Sequence, residues 1–410
     1  MTESPAIARF LAGERARQEA FLAALVREPS DNPPGDCSPH AERAASLLEG
    51  IGFSVERHPV PPDLARTHGM RSATNLVVRQ RFGADGPVVA LNAHGDVVPP
   101  GEGWTRDPYG AEIVDGWMYG RGVAVSKSDF ATYAWALLAL KTLDRKLGGT
   151  VELHFTYDEE SGGEIGPALL LREGISRPDL AIGAGFSYEV VTAHNGCLHL
   201  EVTVHGKSAH AARPASGVDA LEAASAILTA LYRGRGGLAA HISAIPGIGS
   251  PQLTVGLISG GINTNVVPDR VSFRLDRRII PEEDPRTVES ALRAEIAASA
   301  AAFPGARIEV QRILLATPLV PLPGGKRLAE ILCGHATRLM GEPVGTTGVP
   351  LYTDARHYAA AGVPVVLYGA GPRTIEEANA HRANERLPLA DLHKATEIVA
   401  LTLATLLGPG

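Results

Sequence analysis

Cysteine is scarce: Cys37, Cys197 and Cys333 are the whole complement, odd in number, far apart and without a C-x-x-C pair. That pattern argues against a disulfide framework or a cysteine metal cluster and fits reduced thiols. No run of lysines and arginines marks a phosphate-tracking surface, and a net charge of −7 disfavours non-specific binding to nucleic acid. Acids and arginines interrupt the apolar residues from Thr2 to Val26, so neither a secretory leader nor a membrane span is expected there. A cytoplasmic protein is the default expectation. Internal repeats and low-complexity segments are also lacking.

What is present is a chain of 410 residues, 45% hydrophobic and 20% charged, too long for one compact core and ordinary in composition for a globular enzyme. Helical spacing predicts helices over 4–27 and 38–50, and apolar runs predict strands over 53–56, 75–79 and 88–93. A loop from Gly101 to Tyr119 leads to an Ala- and Leu-rich helix over 127–143, a strand over 150–157 and a further helix to about 173. Strand and helix in alternation over 50–190 imply a mostly parallel sheet covered on both faces, an α/β fold.

The character changes near Gly196. The order strand 198–204, helix 217–233, strand 251–259, strand 270–280, helix 285–302, strand 307–313 is the βαββαβ, ferredoxin-like arrangement. The first pattern then returns with helix 325–340, a short segment at 353–356, strand 363–368 and a last helix over 391–407. The expected division is 1–195 and 314–410 for the first domain, with 196–313 inserted into it.

Candidate chemistry lies at strand ends, where open α/β sheets place it. The run 88–93 ends in His94-Gly95-Asp96, and two prolines (Pro99, Pro100) forbid further strand. The spacing lets Asp96 hold the His94 ring from behind while the other ring nitrogen faces a metal. The strand 150–157 ends in Asp158-Glu159-Glu160 followed by two glycines. Three adjacent carboxylates repel one another unless they are solvated or gathered by a cation, so one can bind a metal while its neighbour acts as base. His381, after the Gly369-Ala370-Gly371 turn, is a third candidate ligand. The inserted segment offers His210, Asn265 and Arg278, residue types that suit an oxyanion and a carboxylate.

These motifs, with Gly120-Arg121-Gly122, Gly206-Lys207-Ser208-Ala209-His210 and the terminal Ala380-His381-Arg382-Ala383-Asn384-Glu385, resemble the co-catalytic zinc aminoacylase and carboxypeptidase family. That family includes acetylornithine deacetylase, succinyl-diaminopimelate desuccinylase and glutamate carboxypeptidase. The resemblance covers nearly the whole chain and implies a catalytic domain with an inserted lid that also forms a homodimer. It places metal-binding histidines on His94 and His381, a metal-binding Glu on Glu160, the general base on Glu159 and Asp96 behind His94. It makes His210, Asn265 and Arg278 substrate contacts of the lid, His210 reaching into the partner subunit's site.

Two departures matter. The family's bridging Asp falls on Val125, and a further carboxylate ligand falls on Ala184 or Gly185. The expected cofactor is therefore one divalent metal, zinc or manganese, on His94, Glu160 and His381, with a second doubtful. Asp129, one helical turn beyond Val125, is a candidate substitute. The expected function is an amidohydrolase acting on the C–N bond of a small carboxylate-bearing substrate, such as an N-acyl amino acid or dipeptide. The same departures leave open a metal-free binding protein or pseudoenzyme, and a diverged C–N lyase or aminohydrolase. No nucleic-acid or membrane partner is expected.

Overall fold

Apolar side chains at helical spacing, among them Ile7, Leu11, Leu22 and Leu25, bury one side of α1 (Glu3–Val26), and α2 (Ser38–Gly50) follows after a proline-rich turn. The computed structural model describes residues 3–408. Next come β1 (Val55–Pro59), α3 (Pro62–Thr67), β2 (Thr74–Arg81), β3 (Val88–His94), β4 (Glu112–Val114) and β5 (Trp117–Tyr119). They lead to α4 (Lys127–Leu140), β6 (Thr150–Thr156), a single 3₁₀ turn (Glu159–Ser161), α5 (Pro167–Arg172), β7 (Leu180–Gly183) and β8 (Val190–His194). The inserted unit supplies β9 (Gly196–His205), α6 (Ala220–Leu238), β10 (Gln252–Gly260), β11 (Arg270–Ile279), α7 (Pro285–Ala300) and β12 (Arg307–Ala316). The chain closes with α8 (Gly325–Met340), β13 (Thr346–Val349), α9 (Ala355–Ala360), β14 (Val365–Leu367), α10 (Ile375–Ala378), β15 (Arg386–Pro388) and α11 (Leu389–Leu406).

Two compact units result. The first is Met1–Thr192 with Pro321–Thr347 and Thr353–Gly410, and the second is Ala193–Val320 with Gly348–Tyr352. The first holds an eight-stranded sheet in the order β1-β2-β6-β3-β7-β14-β8-β13. Its centre is parallel, β3 pairing with β6 and β7, and β7 with β14, while β1, β2 and β8 pair antiparallel. Helix α4 is buried nearly all round, as suits a helix packed inside a large unit.

The register of the parallel strands positions the site. His94 stands opposite Thr156, and Asn92 opposite Gly183, which in turn stands opposite Leu367. Four strands therefore release their C-terminal residues at one edge of the sheet, and with them the segments 94–96, 158–160, 184–185 and 369–371. The second unit has a four-stranded antiparallel sheet in the order β10-β11-β9-β12. Leu198, Leu200, Val202 and Phe273 on one face of that sheet share a core with Ile227, Leu231 and Ile296 of the two helices.

The segment 101–119 is not wholly loop. β4 and β5 form a hairpin, and β15 adds a third strand to it. The turn is Asp115-Gly116 with φ of 50° and 78°, the primed-turn conformation that an Asp-Gly pair favours. The sequence carries that signal, but β4 and β5 are only three residues each and show no alternation to draw attention to it.

Candidate active site

The His94 ring sits at the end of β3 with Nδ1 directed to the carbonyl of Asp96 at 2.9 Å and to its Oδ1 at 3.3 Å. A proton held at Nδ1 leaves Nε2 free, and Nε2 faces Glu159 Oε2 at 4.0 Å. Asp96, fully buried, does more than orient that ring. Its carboxylate accepts from the backbone N–H of Glu159 at 3.2 Å and of Glu160 at 3.1 Å, and from Asn32 Nδ2 at 3.0 Å. One carboxylate thus fixes the imidazole and the acidic turn together.

His94, Glu159 and Glu160 each bring one ligand atom within 4.8 Å of the other two. His381 Nε2 lies 3.4 Å from Glu160 Oε1, outside that group of three. Of the three ligands expected from sequence, His94 and Glu160 are grouped together with Glu159, and His381 adjoins that group through Glu160. The loop carrying His381 is tied down by a buried ion pair between two motifs, Arg121 Nη1 to Glu385 Oε2 at 2.6 Å. Glu385 Oε1 also accepts from the N–H of Ala124 at 3.0 Å and of Val125 at 3.3 Å.

Carboxylates outnumber cations here. Burial raises the Glu159 carboxyl well above its usual range, with Glu160, Asp354 and Asp96 adding to the rise and His94 opposing it. Burial also lifts Asp354 to about 7, and raises Asp158 with the help of Asp354. Burial opposes protonation of His94, but Asp96, Glu159 and Glu160 outweigh it and hold the imidazole well above its ordinary pKa. Hydrogen bonding to Glu160 raises His381. A turn that collects this many acids around one imidazole retains protons unless a cation replaces them. The donor set, a ring nitrogen and two carboxylates, fits a divalent metal of the zinc or manganese kind.

At the two departures the structure is specific. Val125 is half-buried and offers no ligand atom. At Gly185 a Cβ would lie 2.8 Å from the carbonyl carbon of Leu367 and the nitrogen of Tyr368, so no acidic side chain fits there. The position that can carry one is Ala184. Asp129 is buried, accepts from Ala370 N–H at 2.7 Å, and also takes the Gly185 N–H. It sits against Gly369, where a Cβ would meet its carboxylate. Asp129 therefore braces two of the strand ends and is committed to backbone donors.

Sequence reasoning missed two contributors. Asp354, six per cent exposed, lies beside the 158–163 turn, within reach of Thr156 Oγ1 at 3.5 Å. Asn32 holds both Asp96 and, at 3.2 Å, Ser161 Oγ. A signal existed for the first, an Asp-x-Arg pair whose Arg356 is also buried and bonds to the Gly162 carbonyl. Asn32, inside a proline-rich turn, gave none.

In the second unit, His210 and Asn265 are neighbours: Ala211 N–H donates to the Asn265 carbonyl at 3.0 Å, and His210 bridges to Val266. His210 Nδ1 accepts from Ala212 N–H at 3.1 Å, so its ring proton is on Nε2, a donor facing outward. Arg278 is not with them. The turn 206–220 is held at the Arg270 end of β11, through Gly206 N–H to Asp269 and Ala220 N–H to Pro268, whereas Arg278 stands eight residues along the strand. That is roughly 27 Å at strand rise. The three residues expected to grip one substrate together are thus separated within one chain, and Asn265 goes with His210.

Residues 90–405 match the sequence profile of the peptidase family M20/M25/M40. The chain is 29% identical to an acetylornithine deacetylase of Proteus mirabilis over 362 residues, 87% of this chain and 86% of that one. It is 30% identical to a succinyl-diaminopimelate desuccinylase of Gluconacetobacter diazotrophicus over 400 residues, 94% and 95% of the two chains. In fold it is similar to a di-peptidase from Saccharomyces cerevisiae, with a TM-score of 0.78 at 16% identity over 99% of both chains.

Proposed function

The chain belongs to the peptidase family M20/M25/M40, a family of hydrolases acting on C–N bonds, and from that premise we propose that it hydrolyses the amide bond of a small carboxylate-bearing substrate. N-acyl amino acids and dipeptides are the substrate classes we assign. The observation that carries this reading is the half-buried Glu159 carboxylate, grouped with His94 and Glu160 at a strand edge. In this reading His94 and Glu160 hold the divalent ion, with His381 completing its shell from beyond Glu160. When bound, the ion supplies Lewis-acid polarisation of the scissile carbonyl. Glu159 takes a proton from the attacking water as the new C–O bond forms, and returns it to the amide nitrogen as the C–N bond breaks. Asp96 keeps the His94 ring and the Glu159–Glu160 backbone in place.

Arg278 binds the substrate carboxylate through its guanidinium fork. His210, with Asn265 beside it, donates from Nε2 to the developing oxyanion. The separation of His210 from Arg278 supports supply of the pair His210 and Asn265 by a second copy of the chain. The edge position of β10 supports the same homodimer, since it leaves Leu257 and Ile258 exposed on a strand with an unpaired side. One ion at the His94 site, zinc or manganese, follows from Val125 and Ala184. Three cysteines without a disulfide support a cytoplasmic location, and among the described residues no helix is long and apolar enough to cross a membrane.

Glu159→Gln tests the proposal. Assayed on a panel of N-acyl amino acids and dipeptides with zinc or manganese added, it is expected to lower kcat about 10²–10⁴-fold with metal content unchanged. Undiminished turnover by that variant would overturn it. The competing reading, a metal-free ligand-binding protein, draws on the two lost carboxylates and predicts neither turnover nor bound metal in the unaltered chain.

A further inference from the structure

The inserted unit carries three donor residues to which the proposed amide hydrolysis assigns no role, beside Arg278, to which it does. Cys197 and His199 stand two residues apart on β9 and so share one face of the sheet. Their register partners on β11 are Arg278 and Asp276, which share that face. It is the face opposite the apolar one formed by Leu198 and Leu200. Cys197 Sγ lies 3.1 Å from His199 Nε2, His199 Nε2 lies 2.9 Å from Asp276 Oδ2, and the sulfur lies 3.5 Å from the same oxygen. Cys197 is buried, while the His199 and Asp276 side chains are 35% and 29% exposed, so the triangle of donor atoms opens to solvent on one side.

Two chemistries use these three residue types. A thiol nucleophile needs the sulfur on one ring nitrogen and the carboxylate on the other, so that the ring relays a proton. Here sulfur and carboxylate converge on the same nitrogen, Nε2, and no relay through the ring connects them. Convergence of three donors on one point is instead what a metal ion requires. Zinc bonds of about 2.3 Å to sulfur and 2.0–2.2 Å to nitrogen and oxygen put tetrahedral neighbours roughly 3.3–3.6 Å apart. The observed edges of 2.9–3.5 Å reach those values with small side-chain shifts. The other oxygen of Asp276 accepts from Arg278 Nε at 3.0 Å, which fixes the carboxylate and leaves Oδ2 to the ion.

We propose that Cys197, His199 and Asp276 form a metal site of their own in the inserted unit, taking one zinc-type ion on sulfur, nitrogen and oxygen, with the fourth position open to water or a small anion. A mixed set brought together by strand register has none of the paired-cysteine spacing that marks a cysteine metal site in sequence.

Cobalt(II) is the probe, because thiolate ligation gives a sulfur-to-cobalt charge-transfer absorption that imidazole and carboxylate ligands do not. The full chain, stripped with chelator and reloaded with cobalt, is expected to show that band. Cys197→Ser and His199→Gln should each abolish it and lower the zinc retained by about one equivalent, whereas Glu160→Gln should leave it. His199 is partly exposed, so H199Q keeps the test sound if C197S disturbs the core, and circular dichroism verifies folding of both. A wild-type chain without the band, or a band that survives H199Q, overturns the proposal.

Discussion

Glu385→Gln isolates the ion pair that joins the Gly-Arg-Gly turn to the loop of His381. Arg121 and Glu385 are each about one per cent exposed, and their charged atoms meet at 2.6 Å. The glutamine keeps the shape and an oxygen for the Ala124 and Val125 N–H groups, but removes the charge that neutralises Arg121. The guanidinium then retains the carbonyls of Pro100 at 3.0 Å and Arg382 at 3.3 Å and the face of the Trp104 ring, none of them an anion. Leaving a buried charge without its partner costs about 3–5 kcal/mol. In a unit of this size that corresponds to a fall in Tm of roughly 6–12 °C. Differential scanning calorimetry of the chelated protein reads the shift directly. The companion is the double variant Arg121→Met with Glu385→Gln, in which no charge is buried and an oxygen remains for the Ala124 and Val125 N–H groups. It is expected to recover much of the loss, because the uncompensated buried charge is gone. A drop under about 2 °C for E385Q, or no recovery in the double variant, would refute the reasoning.

Val125→Asp combined with Ala184→Glu restores both missing carboxylates and is expected to raise bound zinc from about one to about two equivalents on the His94 side, read by elemental analysis in a Cys197→Ser background. Gly185→Glu in place of the Ala184 change should instead impair folding, since its Cβ meets the backbone of Leu367 and Tyr368; soluble G185E protein of wild-type Tm contradicts this. Burial raises Asp129 from 3.8 to about 7, with the N–H groups of Ala370 and Gly185 opposing the rise. Between those pH values the folded chain holds a proton that the unfolded chain has released, so this group's contribution falls as pH rises through the window. Asp129→Asn has no such proton, and the Tm of the chelated variant should be flatter from about pH 4 to 7 than that of wild type; parallel profiles would refute the assignment.

The order of elements was readable because it rests on local patterns. The run 88–94 is apolar because β3 is covered on both faces, and the βαββαβ order follows from alternation in β9 and β11 and helical spacing in α6 and α7. The meeting of His94 with Glu159 and Glu160 was also readable, since parallel strands of similar length end at one edge. What escaped depends on register and reach. Asn32 and Asp354 meet the site through groups on other segments; the Asp-x-Arg pair hints at Asp354, whereas the sequence neighbours of Asn32 reveal nothing. His381 meets Glu160 from a loop whose buried tie, the Arg121–Glu385 pair, joins segments far apart in sequence and so leaves no local pattern.

The inserted unit makes the same point with distances. His210, Asn265 and Arg278 look like one polar trio when read as motifs, yet β11 alone separates the first two from the third by eight residues. Conversely, Cys197 and Asp276 are 79 residues apart and meet because β9 and β11 pair antiparallel with Cys197 opposite Arg278. A shift of that register by one residue would turn Asp276 to the apolar face and dissolve the cluster. The pairing is held by Leu198, Leu200, Val202, Phe273 and Leu275, all buried. The hydrophobic core therefore fixes the metal-type geometry on the opposite face of the sheet. Substitutions in that core that loosen the β9–β11 register should thus lower cobalt charge-transfer intensity.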